Sequence, residues 1–372
     1  MNNLHFAGID PLLLLNKKFN ANLQEIQGLH PVLKLAGLTE EAATFLNYTF
    51  KMPFTHPKPP RIVLIGCGGT GSHLLPNILQ FVHSKRLKDG GDLPEIILVD
   101  GDTVEEKNLV RQRFTSGDLG MNKAAALAQR YTGVFGIRIK TYEDFLVSSE
   151  DLELIAPRDG TNIIIGAVDN HRARMIIWQY YLEGEGSFHP TFWIDSGNEG
   201  WHGQAILSAR FYPRTSPVGS THWSEAGIGT PIKPVNLPCF FDEYPDEFLK
   251  VGSTPVTPQN ECARMVEVDP QTIQANMMSA FCATTLFIQA FTGQIRTTAL
   301  YFDALSGNTK AAFLSRLDLA SYPIKMEASR TRIMNFLKGL DVQASLEGES
   351  KFDEDFSFLV KSIESLRTGS YV

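Results

Sequence analysis

The chain reads as an α/β protein on a doubly wound, Rossmann-like sheet, mostly parallel with antiparallel additions. Three stretches predict this. "RIVLIGCGGTGS", Arg61 to Ser72, is an apolar strand running into a glycine-rich turn. "EIILVD" is a second apolar strand, ending on Asp100, and "NIIIGAV" is a third, closed by Asp169 and Asn170. Short continuous apolar strands alternating with helical pattern mark a parallel sheet covered on both faces.

Residues 1–59 form an N-terminal extension, in which "LTEEAATFLNYTFK" predicts a helix after a threonine cap. The prolines of "MPFTHPKPP" end it, since proline removes backbone donors and favours extended chain. After the glycine turn, "SHLLPNILQFVHSKR" predicts a helix with Pro76 in its first turn or so, and "LKDGGDLP" a loop. "NKAAALAQRYTGVF" predicts a helix, "IRIKTYEDF" a strand, and "HRARMIIWQYYLEG" the helix behind Asp169-Asn170. "TFWIDSGNEGWHGQAILSARF" predicts two antiparallel strands around a Gly-rich turn. Residues 213–260 are rich in Pro, Gly and Ser, and loops of that length are usually functional or disordered. "DPQTIQANMMSAFCATTLFIQAFTG" is apolar on most faces and predicts a buried helix. "TALYFDALSGNTKAAFL" predicts a hairpin, and residues 319–372 a charged helical tail.

The sequence has 372 residues, 43% hydrophobic and 20% charged, enough for a large core. A net charge of −7 disfavours nucleic acid as the main partner. The longest apolar runs are too short to cross a bilayer, and Met1-Asn-Asn lacks a signal-peptide start, so cytoplasmic residence and no membrane contact are expected.

Gly66-x-Gly68-x-x-Gly71 lets backbone N–H groups approach an anion at a helix N-terminus, whether in a dinucleotide or in ATP. The continuation separates the two. "VDGDTVEEKNLVRQRF" brings Asp100, Asp102, Asn108, Arg111 and Gln112, and "GMNKAAA" adds Lys123. A dinucleotide pyrophosphate is largely satisfied by backbone N–H groups. A guanidinium and an ammonium suit a triphosphate, whose charge moves onto the leaving pyrophosphate. Asp169, at a strand end, is placed to hold Mg²⁺ bridging the phosphates.

These motifs together resemble the ThiF/ubiquitin-activating superfamily over roughly residues 60–315, with an adenylation domain expected over 60–318. "NLVRQRF…GMNKA", "VDNHRAR" and "WIDSGNEGWHGQAIL" look closest to bacterial PRTRC-type ThiF proteins of ubiquitin-like operons. The resemblance implies that Gly66, Gly68, Gly69, Gly71 and Ser72 shape the phosphate turn and that Asp100 binds the ATP ribose. It further implies that Asp102, Asn108, Arg111, Gln112 and Lys123 serve the nucleotide, that Asp169 coordinates Mg²⁺, and that Asn170 fixes the loop. Arg174 matches a family arginine one helical turn on, with a structural role open to it. The reaction implied is ATP-dependent adenylation of the C-terminal carboxylate of a ubiquitin-like protein ending in Gly. Transfer through a cysteine thioester to a conjugating-enzyme-like partner follows, with a homodimer as the assembly and antiphage defence as one context.

The family's zinc-binding Cys-x-x-Cys pairs are missing, which limits metal to Mg²⁺. Of the four cysteines, Cys262 in "QNECARM" sits before the buried helix, as in activating enzymes with a compact adenylation domain, and is the leading thioester candidate. Cys239, in "LPCFFDE", is the runner-up, while Cys67 and Cys282 read as packing residues. His73 reads as either a phosphate contact or a solvent-facing side chain, and His189, His202 and His222 as structural. "DEYPDEF" reads as solvated surface, with a basic ubiquitin-like face as the other option, and Trp193 and Trp201 as core and dimer interface. Three other readings stay open: adenylation for sulfur transfer, an NAD-dependent oxidoreductase, and a silent binding scaffold.

Overall fold

Five strands pair in parallel at the centre of the sheet: β2 (Arg61–Ile65), β3 (Ile96–Val99), β4 (Ile139–Tyr142), β5 (Asn162–Gly166) and β6 (Thr191–Glu199). They lie in the order β4-β3-β2-β5-β6. The computed structural model from which this comes describes residues 50–51, 59–184, 189–211, 235–244, 272–314, 333 and 335. Beyond β6 the sheet continues antiparallel through β7 (His202–Phe211), β10 (Thr297–Asp303) and β11 (Asn308–Phe313). A short β8 (Val235–Asn236) pairs with the end of β7. A separate two-residue ladder joins β1 (Phe50–Lys51) to β9 (Gln294–Ile295).

The central strands are apolar on both faces because helices cover both. On one side pack α1 (Gly69–Asp89), α2 (Lys123–Phe135) and α6 (Ile273–Thr292). There Ile62 and Leu64 join Leu74, Ile78, Leu127 and Phe287 in one core. On the other side pack α3 (Ser149–Ile155), α4 (His171–Glu183) and the short α5 (Phe240–Glu243). Val63 and Ile65 there meet Trp178, Tyr181, Trp193 and Phe241. Each such side chain contributes about 1.5–3 kcal/mol by leaving water. Alternation along a single strand thus feeds two cores.

Several expectations shift. Helix α1 starts at Gly69 and runs through Asp89, so "LKD" extends the helix and Pro76 lies well inside it. The proline N cannot donate to the Ser72 carbonyl, a local loss that the packing of Leu74, Leu75, Ile78 and Leu79 outweighs. Helix α3 was not expected, although Ser148 and Asp151 form a capping box that the sequence carries openly. Asp242, the first residue of "DEYPDEF", is not solvated surface. Phe240 and Phe241 anchor it in the second core, and buried Asp242 accepts the Cys239 amide at 3.0 Å. Ile333, in the segment expected as a charged tail, is fully buried in that same core. The N-terminal helix, Cys262, His222 and most of residues 213–260 lie outside the described residues.

Strand order reverses between β2 and β5: the chain leaves β2 for β3 and β4 on one side, then returns to place β5 on the other. Such a switch point opens a crevice at the carboxyl ends of the strands.

Candidate active site

A cleft of about 740 Å³ lies at that reversal, lined from the ends of β2, β3 and β5 and from the β6–β7 hairpin. Its floor is the turn after β2. Gly66 has φ +89°, and a Cβ there would stand 2.5 Å from the Ala167 carbonyl oxygen, so only glycine lets β2 and β5 exit side by side. A Cβ on Gly71 would lie 1.9 Å from the Gly66 carbonyl oxygen, because the first turn of α1 folds back onto the strand end. Gly68 and Gly69 line the cleft, whereas Gly71 and Ser72 stand behind it. Buried Ser72 donates its hydroxyl to the Gly69 carbonyl and accepts the Arg113 amide, tying the turn to the segment after β3.

Asp100 ends β3 and accepts two amides, from Cys67 at 2.6 Å and from Asp102 at 2.9 Å. Burial pushes its pKa up against the pull of Lys123 and of those amides. Lys123 opens α2, nearly buried, with its Nζ 2.8 Å from Asp102. Burial alone would lower the Lys123 pKa, but Asp100, Asp102 and Asp169 together outweigh it and raise it. The ammonium therefore stays charged at neutral pH, facing three carboxylates. Arg111 reaches the cleft from the segment after β3, and among the described residues its guanidinium has no hydrogen-bond or salt-bridge partner. Asp169 is an exposed carboxylate at the cleft wall, and Asn170 beside it caps α4 by accepting the Ala173 amide at 2.8 Å.

The sequence thus scatters these groups and the fold gathers most of them. Gly66, Gly68, Gly69, Asp100, Asp102, Arg111, Gln112, Lys123, Asp169 and Asn170 all line the cleft. Asn108 does not: it is buried, and its side chain accepts the Glu105 amide, closing the 3-10 turn that precedes Arg111. Gln112 lines the cleft with its Oε1 buried and unpartnered among the described residues. His73 is neither solvent-facing nor at the cleft. It is buried, accepts from Arg113 Nε at 2.9 Å, and has its pKa lowered by burial and then by Arg113.

Arg174 donates from Nε to buried Asp195 at 3.0 Å, lies over the Phe240 ring, and lines the cleft. Burial raises the Asp195 pKa against the pull of that arginine, and its second oxygen is buried without a partner among the described residues. Sequence reasoning passed over Phe145, Asn198 and Glu199, which also line the cleft. Phe145 packs against Gly101, whose Cβ would collide with the ring at 2.7 Å. An aromatic after an acidic strand end was the available signal.

All three described cysteines are buried. Burial, with Asp100 alongside, pushes the Cys67 thiol well up, and burial pushes Cys282 up to about 11. Both are poor thiolates at neutral pH.

A fold with its crevice at a topological switch point, floored by a glycine turn and walled by cations and carboxylates, defines a nucleotide-binding α/β protein. The chain belongs to the ThiF family, whose model matches residues 58–318. It is 30% identical over 147 residues to the ubiquitin-like modifier-activating enzyme 5 of Oryza sativa subsp. japonica. That match takes in 37% of this chain and 31% of the rice enzyme, so the chain spans about a third of that relative. Among solved structures it resembles E. coli MccB with AMPCPP and MccA, at 16% identity and a TM-score of 0.44, over 69% of this chain and 64% of that one. It also resembles PaaA, at 16% identity and a TM-score of 0.43, over 68% of this chain and 72% of that one. No described helix is long and apolar enough to cross a membrane.

Proposed function

We propose that the chain uses ATP to adenylate the C-terminal carboxylate of a ubiquitin-like protein and then carries the acyl group on Cys262. One observation carries the reading. Arg111, Lys123 and Asp169, from three separate segments, converge on one cleft with the glycine turn at its floor. Two cations beside a helix N-terminus suit a polyphosphate, and the family relation favours ATP. The rice relative is named for activating a ubiquitin-like modifier, which favours that class of acyl donor.

On this reading the turn amides of Gly68 and Gly69 and the N-terminus of α1 receive phosphate oxygens. Arg111, with no guanidinium partner among the described residues, and Lys123, released in part from Asp102, stabilise charge as it moves onto pyrophosphate. Asp100 orients the ribose, and Asn170 holds the loop that presents Asp169. A carboxylate oxygen of the acyl donor attacks the α-phosphorus, and the bond to the β-bridging oxygen breaks. The donor is already ionised, so no general base is required, and catalysis is positioning plus charge stabilisation.

Mg²⁺ fits the residues present. Asp169 offers an exposed carboxylate oxygen, and magnesium in phosphate sites characteristically takes one or two carboxylates beside the phosphates. Such an ion would neutralise phosphate charge. In the second step the Cys262 thiolate attacks the acyl carbon and AMP leaves, giving a thioester for a conjugating-enzyme-like acceptor. The buried state of Cys67, Cys239 and Cys282 favours Cys262 for this role. A homodimer, a PRTRC-type bacterial pathway and a cytoplasmic setting complete the proposal.

The test is ATP–pyrophosphate exchange with a Gly-terminated ubiquitin-like protein, read alongside a reducible adduct on the chain. Cys262→Ala is expected to keep exchange and lose the adduct. An undiminished adduct in that variant would sink the cysteine assignment, and a thiocarboxylate product from the unaltered protein would favour sulfur transfer instead.

A further inference from the structure

Helix α6 is apolar along most of its length, yet at Asn276 a fully buried amide faces the phosphate turn. Burying an amide against a core is costly unless its donors and acceptors are matched. Here they form a directed chain. The Thr70 hydroxyl donates to Asn198 Oδ1 at 3.1 Å, and Asn198 Nδ2 donates to Asn276 Oδ1 at 3.2 Å. Asn276 Nδ2 in turn reaches the Arg111 carbonyl at 3.5 Å. Four segments meet in this chain: the first turn of α1, the β6–β7 hairpin, the start of α6, and the stretch bearing Arg111.

The steric evidence is independent of the hydrogen bonds. A Cβ on Gly69 would lie 2.6 Å and 2.7 Å from the Asn276 amide nitrogen and oxygen, so the amide plane rests directly on the turn. Gly69 itself lines the cleft, whereas Asn276 does not. Asn276 is therefore the backing of the very backbone that would receive phosphate oxygens, and it also touches the carbonyl of Arg111, whose guanidinium lines the cleft.

We propose that Asn276 is a positioning residue for the nucleotide site, fixing the Gly69 amide and the Arg111 backbone relative to each other. It acts through these groups and does not contact the ligand. The inference rests on the ATP reading of the cleft. It adds that α6, the helix entered directly from the Cys262 segment, forms part of the ATP site's frame.

The experiment measures Mg·ATP binding by calorimetry on the full chain, with thermal unfolding of each variant recorded beside it. Asn276→Ala removes the backing and is expected to weaken ATP about tenfold. Asn276→Asp keeps the volume but sets a carboxylate against the Arg111 carbonyl and behind the phosphate turn, so it is expected to weaken ATP further. Leu286→Val, buried on the same helix, loosens α6 without touching the turn and is expected to lower thermal stability while ATP affinity stays within about twofold. Unchanged affinity in a folded Asn276→Asp overturns the proposal, as does an equal loss of affinity in Leu286→Val, which would reduce Asn276 to ordinary helix docking. Absence of ATP binding by the unaltered protein overturns the functional reading and this inference with it.

Discussion

Lys123 sits against Asp102 at 2.8 Å, with Asp100 and Asp169 near enough to hold its pKa up despite burial. A cation surrounded by carboxylates is charged but already compensated, whereas Arg111 carries its charge into the cleft with no described partner. On the proposed reading the two differ in what they cost the fold. Arg111→Ala removes only transition-state stabilisation, so pyrophosphate exchange should fall about 10²–10³-fold with thermal stability unchanged. Lys123→Ala should lose as much activity and also lower stability, since it leaves Asp100, Asp102 and Asp169 mutually repelling. Exchange kinetics and unfolding midpoints of the two variants check this together. Equal stability of both would refute the compensated role of Lys123. Sequence made both cations visible beside the strand-end acid. It did not show that Asn108 is buried and closes the turn before Arg111, because an amide's partners depend on which backbone groups surround it once the turn has closed.

At the level of elements, the glycine turn is rigid because strand, turn and helix crowd one another at single atoms. Gly71→Ala would place a methyl group 1.9 Å from the Gly66 carbonyl oxygen and should destabilise by about 1–3 kcal/mol or more as the backbone shifts. The same change at Gly133, inside α2 with nothing within 4 Å of its Cβ position, should stabilise by about 0.5–1 kcal/mol. Opposite signs for one chemical change, measured by denaturant unfolding, would show that contact decides the outcome; matching signs would contradict it. The β2–turn–α1 unit was legible because its pattern is local: apolar run, glycines, apolar helix. Helix α3 carried a local mark, its Ser148–Asp151 box, yet was not expected, because its apolar content is slight. What no local pattern carried was the burial of Phe240, Phe241 and Asp242, since an aromatic-acidic run is core or surface according to what packs above it.

Across the whole molecule, the cleft takes walls from β2, β3, β5 and the antiparallel hairpin, so a ligand bound there braces the sheet from both sides of its centre. Mg·ATP at a hundredfold excess over its dissociation constant should therefore raise the unfolding free energy by about 2.7 kcal/mol, and the unfolding midpoint with it. Chelating the metal with EDTA should remove most of that gain if Asp169 holds Mg²⁺ against the phosphates. A midpoint indifferent to ATP would contradict nucleotide binding in the cleft. By itself, the sequence determined the alternation of apolar strands and helices, the glycine turn, and the residue types able to meet a polyphosphate, because these are written in short-range spacing. Only tertiary structure decided which of them share a cleft, that Asn108, Ser72 and His73 turn inward, and that Asn276 lies under Gly69 from more than two hundred residues away. Those outcomes depend on strand order and on steric fit between distant segments, which spacing along the chain does not encode.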